Sequence, residues 1–272
     1  MRPAWILLGV AAVAAGCASV LGIASDTPSF CAQPANQGHA YCEDFDVGDA
    51  TQRWTYATVS GGAAYTIEPP GLSPPNLLDM TAPTQPGKTS ALSGFDVEFD
   101  NSTFVGLHIE ADVRFVTQGN APLEANGGFL LIVDKSGGCV GIGLSAAGDG
   151  GVPAGIGAQV AQQSTACSAL TAGSTGPSTA PLVGTQITAA PAPNTWFHIV
   201  VVVAPDPTGL PGAGTLSLNI VGQPTSPPVV HLVAGTLVAS GIPLVGFAAE
   251  VNGPSGPLEV QYDNITIDLS PN

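Results

Sequence analysis

The sequence has few basic residues. It holds five Lys and Arg against 20 Asp and Glu, which gives a formal net charge of −15. Nucleic acid is itself a polyanion, so we exclude it as a partner. Aromatic residues make up only 6% of the chain, whereas it holds 35 Gly and 25 Pro. That composition disfavours long helices and is typical of short strands joined by turns.

Common catalytic and metal-binding motifs are also missing. The sequence contains no CxxC pair, no HExxH and no GxSxG, so it gives no sign of a zinc site or of a nucleophile elbow. The segment "GIGLSA" at 141–146 loosely fits a dinucleotide-binding loop, but no helical pattern follows it. Function must therefore be sought in the strand patterns and at the N-terminus.

The N-terminus reads as an export signal. Arg2 precedes an apolar run over residues 4–15, and small residues then lead to Cys17 in "AAGCAS". The run is too short to span a bilayer permanently. The segment resembles the lipobox of bacterial lipoproteins, which implies cleavage after Gly16 and a diacylglycerol on the Cys17 thiol. Ala18 is, by resemblance to enterobacterial lipoproteins, consistent with sorting to the outer membrane. The alternative is an ordinary signal peptide cut elsewhere.

These features divide the chain into three parts. We expect a signal peptide, a lipid anchor with its tether, and a single folded domain, at residues 1–16, 17–30 and 31–272. The protein is then exported and held in the cell envelope, with the membrane as one partner through its acyl chains.

Four cysteines remain after Cys17. An even number in an exported protein favours disulfides. Of the three pairings that four cysteines allow, proximity favours Cys31–Cys42 and Cys139–Cys167. Unpaired, buried thiols are the alternative.

Strand patterns fill most of the chain from residue 41 onward. The segment "VGLHIEADVRF" alternates cleanly, with apolar residues facing inward and four polar residues facing outward, namely His108, Glu110, Asp112 and Arg114. The segment "WFHIVVVV" is apolar on both faces, so we expect Trp196 and His198 to lie in the core. In the last strand the apolar positions change parity, which predicts a β-bulge at Asp263–Asn264.

Three segments together resemble the concanavalin A-like lectin and glucanase superfamily, in particular its LamG-like domains. They are "YCEDFD" with Trp54 shortly after it, "NTWFHIVVVV" followed by "GTLSLNIVG", and the closing "VQYDNITID". The resemblance spans about residues 40–268. It implies an all-β fold, a two-sheet antiparallel jelly-roll sandwich, with the acidic "DFD" strand near the closing "DN" strand.

The outward polar row is the candidate ligand site. If residues 95–115 form a hairpin, Asp96 falls opposite His108, and Asp96, His108, Glu110, Asp112 and Arg114 form one row able to hydrogen-bond a sugar. Few exposed aromatic rings are expected beside it, mainly Trp54 and the tyrosines. The alternative is a plain solvent face on which Asp112 and Arg114 offset each other.

Hydrolysis is disfavoured by the same row. Superfamily glucanases carry an E-x-D-x-x-E strand, and here the third position falls on Phe115. A retaining glycosidase needs two suitably placed carboxyl groups, and the second one is missing from this pattern.

A calcium site is the one cofactor that the sequence suggests. Asp44, Asp46 and Asp263 supply hard oxygen ligands where the first and last strands meet. An ordinary acidic turn is the alternative.

The sequence thus predicts a lipid-anchored, noncatalytic, lectin-like protein that binds an envelope or extracellular polysaccharide. Two alternatives stay open: a structural or adhesion lipoprotein that contacts envelope proteins, and a divergent glycoside hydrolase.

Overall fold

The computed structural model describes thirteen stretches of the chain. They are residues 28–47, 49–87, 89–99, 106–118, 126–133, 139–145, 157–163, 183–186, 194–205, 214–222, 229–232, 244–252 and 256–269. The signal peptide, Cys17 and Cys167 lie outside these stretches, so the predicted lipid anchor and the Cys139–Cys167 pairing stay predictions. No helix among the described residues is long and apolar enough to cross a membrane.

Two antiparallel sheets make up the described part of the chain, with only two short 3-10 helices, at Phe30–Ala32 and Ala50–Arg53. Sheet A has eight strands: β1 (Tyr41–Glu43), β3 (Ala64–Glu68), β4 (Leu77–Ala82), β6 (Leu107–Gln118), β11 (Phe197–Pro205), β12 (Gly214–Ile220), β13 (Val229–Leu232) and β15 (Leu258–Leu269). Their order is β13-β12-β11-β6-β15-β4-β3, and β1 pairs with β15 beside β4.

Sheet B has seven strands. They are β2 (Tyr56–Ser60), β5 (Ser90–Glu98), β7 (Asn126–Val133), β8 (Cys139–Ser145), β9 (Gly157–Gln163), β10 (Val183–Gln186) and β14 (Leu244–Asn252). Their order is β10-β9-β8-β7-β14-β5-β2. Consecutive strands repeatedly lie in opposite sheets, as in a jelly-roll sandwich, so the predicted fold class is confirmed.

The core fills the space between the two sheets, as strand alternation requires. Every second residue is buried from Leu107 to Phe115 in β6 and from Phe197 to Val203 in β11. A row of aromatic rings crosses this core: Trp54 stacks on Phe95, Phe95 stacks on Phe247, and Phe247 meets Tyr262 edge-on. The Tyr262 hydroxyl donates to the carbonyl of Ala248 at 2.9 Å, which joins sheet A to sheet B.

The first and last strands meet, as the resemblance implies. β1 pairs with β15, with Cys42 opposite Thr266, and Cys42 forms the predicted disulfide with Cys31. The register between β15 and β6 shifts between Asp263 and Thr266, and Asn264 adopts a φ of 49°, a left-handed conformation that asparagine tolerates better than most residues. The predicted bulge is confirmed.

The hairpin expected over residues 95–115 is wrong. β5 belongs to sheet B, where Asp96 lies opposite Tyr56 and Gly246. β6 belongs to sheet A, where His108 lies opposite Val202 and Asp268. The chain crosses from one sheet to the other between them, so Asp96 does not join the polar row of β6.

Candidate functional site

The outer surface of sheet A carries a patch that we name the polar face. It is built from outward positions of three adjacent strands, β11, β6 and β15, together with Trp196 just before β11. Its members are His108, Glu110, Asp112, Arg114, Trp196, His198 and Gln261. Strand register places His198 opposite Asp112 and Arg114 opposite Gln261. Four of the five predicted ligand-binding residues are therefore brought together, and Asp96 is not.

His198 stands between two carboxylates. Its Nδ1 lies 2.9 Å from Oδ1 of Asp112, and its Nε2 lies 3.0 Å from Oε2 of Glu110. The other carboxylate oxygen of Glu110 lies 3.1 Å from Nε2 of His108. The expectation that His198 lies in the core is wrong, since its side chain points outward and is 28% exposed.

Arg114 and Trp196 form the second part of the polar face. The Arg114 guanidinium lies over the Trp196 ring, 4.6 Å from its centroid, and donates from Nε and Nη2 to the side-chain oxygen of Gln261. Arg114 thus bonds Gln261, and Asp112 bonds His198. The stacked, doubly bonded guanidinium holds the indole in place.

The burial of Trp54 and Trp196 is the reverse of what the sequence predicted. Trp54, which was expected to be the available ring, is buried and only 7% exposed. Trp196, expected in the core, is half-buried at the edge of the polar face. The signal was present in the sequence: Trp196 shares its parity with His198, and Phe197 and Ile199 between and after them are the buried residues.

The loop between β3 and β4, residues 69–76, lies beside the polar face. Ser73 in this loop donates its backbone N–H to Oδ2 of Asp263 at 2.9 Å and its hydroxyl to Oδ1 of Asn264 at 2.6 Å. Asn264 in turn donates from Nδ2 to Asp112 at 2.8 Å. Asp263 is fully buried, and this burial raises its pKa to about 7 against the lowering effect of its hydrogen bonds from Ser73 and Asn264.

Two of the three predicted calcium ligands contact the same loop. Asp263 accepts the backbone N–H of Ser73 and Asp46 that of Asn76, whereas Asp44 accepts the backbone N–H of Cys31. Burial raises the pKa of Asp46, and the charge of Asp46 contributes to the raised pKa of Asp263, so these two carboxyl groups influence each other. Among the residues that the structure describes, no group of three or more His, Cys, Asp or Glu side chains is arranged to hold a metal ion. Calcium binding stays a prediction.

Comparison with known proteins gives structural matches alone. No protein-family model matches the chain, and no curated protein sequence matches it. Alginate lyase vAL-1 from Chlorella virus is 10% identical and superimposes with a TM-score of 0.50, over 84% of this chain and 100% of the lyase. An endo-1,3-beta-glucanase from Streptomyces sioyaensis is 13% identical, with a TM-score of 0.45 over 86% and 97%. Peanut lectin is 9% identical, with a TM-score of 0.43 over 85% and 99%.

The chain has the concanavalin A-like jelly-roll fold. The match to the alginate lyase extends over that whole chain, so the resemblance inferred from the sequence is confirmed for the fold. At 10% identity the match shows the fold and no more, and one jelly roll serves both lectins and enzymes. The function must be argued from the polar face.

Proposed function

We propose that this protein is an exported, lipid-anchored bacterial protein whose jelly-roll domain binds an envelope or extracellular polysaccharide without cleaving it. The observation that carries the proposal is the half-buried Trp196 ring, held by Arg114 beside a row of polar side chains. An aromatic ring offers an apolar surface to the face of a sugar ring, and flanking polar groups fix its orientation. Glu110 and His108 on the same face are partly exposed and offer hydrogen-bonding groups to a sugar.

The noncatalytic part of the proposal rests on the arrangement of Glu110 and Asp112. A glycosidase needs one carboxyl group as acid and a second as nucleophile or base, on either side of the scissile bond. Here both carboxylates contact the same imidazole, that of His198. The His198 side chain therefore lies between the two carboxylates that would have to flank a glycosidic bond.

The anchor is proposed from the N-terminal sequence. Cys17 follows the small residues of a signal peptide, and multiple acyl chains there would hold the domain to a membrane. Mass spectrometry of the purified protein should show a processed N-terminus at Cys17 that carries acyl chains. A Cys17→Ser variant should lose the acyl mass and leave the membrane fraction. An unmodified Cys17, or cleavage elsewhere, would remove the anchor from the proposal.

A polysaccharide binding screen with the purified full chain tests the ligand. The detergent should be a polyoxyethylene type, because a glucoside detergent would compete. We expect saturable binding that Trp196→Ala weakens about tenfold, corresponding to about 1.4 kcal/mol. Tyr56→Ala is the matched control, since Tyr56 is an exposed aromatic residue on the other sheet. An equal loss in both variants would show that the polar face is not the site.

Two further outcomes separate the alternatives. Release of reducing ends from a bound polysaccharide, abolished by Glu110→Gln, would replace binding by hydrolysis. Absence of binding to every polysaccharide by a folded protein would favour adhesion to an envelope protein.

A further inference from the structure

Histidine and carboxylate side chains alternate along the outer surface of sheet A. His39 contacts Asp268 at 2.7 Å, and Asp268 lies opposite His108 in the strand register. His108 contacts Glu110, and Glu110 contacts His198. Of these histidines, His198 differs in that each of its two ring nitrogens faces a carboxylate of its own.

This geometry determines the protonation that the contacts need. A neutral imidazole carries one N–H donor and one acceptor nitrogen, whereas an imidazolium carries two donors. An ionised carboxylate only accepts hydrogen bonds. Contacts at 2.9 Å to Asp112 and 3.0 Å to Glu110 are therefore both satisfied when His198 is an imidazolium between two carboxylates.

The charged groups around the ring favour that state. Glu110 and Asp112 of β6 contact the ring, and both favour the imidazolium. Asp263 of β15 lies opposite Asp112, but its buried carboxyl group keeps its proton until about pH 7 and so adds no charge below that pH. The adjoining end of β12 contributes Val221, which is uncharged and donates its backbone N–H to the His198 carbonyl. The hydrogen bond to Asp112 is the largest cause that holds the pKa of His198 above its ordinary value, against desolvation, which lowers it.

The ring also connects three strands. Asp112 and Glu110 belong to β6 and His198 to β11, and the second oxygen of Asp112 accepts from Asn264 at the bulge of β15. Asn264 is bonded in turn to Ser73 of the covering loop. Asp112 is therefore the side chain that links His198 to the bulge and, through Asn264, to the covering loop.

We propose that His198 is a proton-dependent clamp: as an imidazolium it holds Glu110 and Asp112 together, and loss of one proton as the pH rises releases one of them. The proposal does not rest on polysaccharide binding, because it concerns the free protein. If the polar face does bind sugars, the released carboxylate offers a free acceptor there, and loss of the imidazolium charge makes the site more negative by one unit.

Histidine titration followed by NMR of the purified full chain tests the proposal. The variants His39→Gln, His108→Gln and His231→Gln each remove one histidine signal. The signal that remains in all three belongs to His198, which is itself unchanged. We expect His198 to titrate above its ordinary pKa, and we expect Asp112→Asn and Glu110→Gln each to lower its pKa by about one unit. Below that pKa the two ring ¹⁵N shifts should be nearly equal, as in an imidazolium.

The overturning results are equally direct. A His198 pKa at or below 6.5 in the unmodified protein, which needs no variant to fold, would refute the clamp. So would a raised pKa that neither carboxylate variant changes. Glu259→Gln serves as the control for the variants, since Glu259 lies on β15 away from the ring, and it should leave the titration of His198 unchanged.

Discussion

Replacing Asp263 with asparagine should reduce the pH dependence of stability between pH 4 and 7. Asp263 is fully buried, and its pKa is raised from 3.8 to about 7. In that pH range the folded protein keeps a proton on this carboxyl group that the unfolded chain has lost. The free energy of unfolding therefore falls as pH rises, and the loss is complete once the pH passes the folded pKa.

The size of the effect follows from the same values. A rise of the pKa from 3.8 to about 7, at about 1.4 kcal/mol per pKa unit, gives a loss of about 4 kcal/mol between pH 4 and 8. Asparagine also has a cost of its own. Asp263 accepts the backbone N–H groups of Ser73 and Asn264 on different oxygens. A protonated carboxyl group keeps lone pairs on both oxygens, whereas the NH2 group of asparagine cannot accept, so about 1–3 kcal/mol is lost at acid pH.

The effect of this variant on stability should therefore differ between acid and alkaline pH. Asp263→Asn should be less stable than the unmodified protein at pH 4.5 and equally or more stable at pH 8. Urea unfolding at a series of pH values, followed by tryptophan fluorescence, measures both. Burial also raises the pKa of Glu43 to about 7 and of Asp79 to about 6, so the slope should become smaller without disappearing. Val59 is an exposed residue of β2 that does not titrate, so Val59→Ala is the control and should leave the slope unchanged. Equal slopes for Asp263→Asn and the unmodified protein would refute the reasoning.

Two other predictions concern the same end of the molecule. The Cys31–Cys42 bond closes a loop with a sequence separation of 11. The double Cys→Ser variant should therefore lose about 3 kcal/mol of unfolding free energy, and calorimetry should show a Tm about 6 to 12 °C lower. A loss below about 1 kcal/mol would contradict this estimate. The calcium prediction from the sequence expects Ca²⁺ to raise the Tm at pH 8, above the raised pKa of Asp263, and expects Asp46→Asn to abolish the increase. An unchanged Tm in calcium and in EDTA would show that prediction to be wrong.

Local pattern predicted much of sheet A. The alternation in β6 placed His108, Glu110, Asp112 and Arg114 outward, and the structure confirms it. The change of parity in β15 placed the bulge at Asp263–Asn264, because an inserted residue is what moves the apolar set from one parity to the other. Both inferences need only the sequence within one strand.

Pairing between strands could not be predicted in the same way. Alternation in β5 and β6 is the same whether the two strands form a hairpin or lie in opposite sheets, so the sequence did not separate Asp96 from His108. The contacts of His198 could not be predicted for the same reason, because they depend on which strands pair. Its partners Glu110 and Asp112 lie 88 and 86 residues away in the chain, and only the pairing of β11 with β6 brings them together.

The solvent exposure of outward side chains could not be predicted from the alternation either. An outward position in a strand is not always an exposed one: Asp263 and Gln261 face outward in β15, yet both are buried. The loop with Ser73 covers the first, and the Arg114 guanidinium packs against the second. A polar side chain covered in this way must satisfy its hydrogen bonds locally, and a carboxyl group there keeps its proton to a higher pH. The bulge thus fixes more than strand register, because it turns Asp263 and Asn264 toward the loop and so links the buried, proton-binding carboxyl group to the polar face.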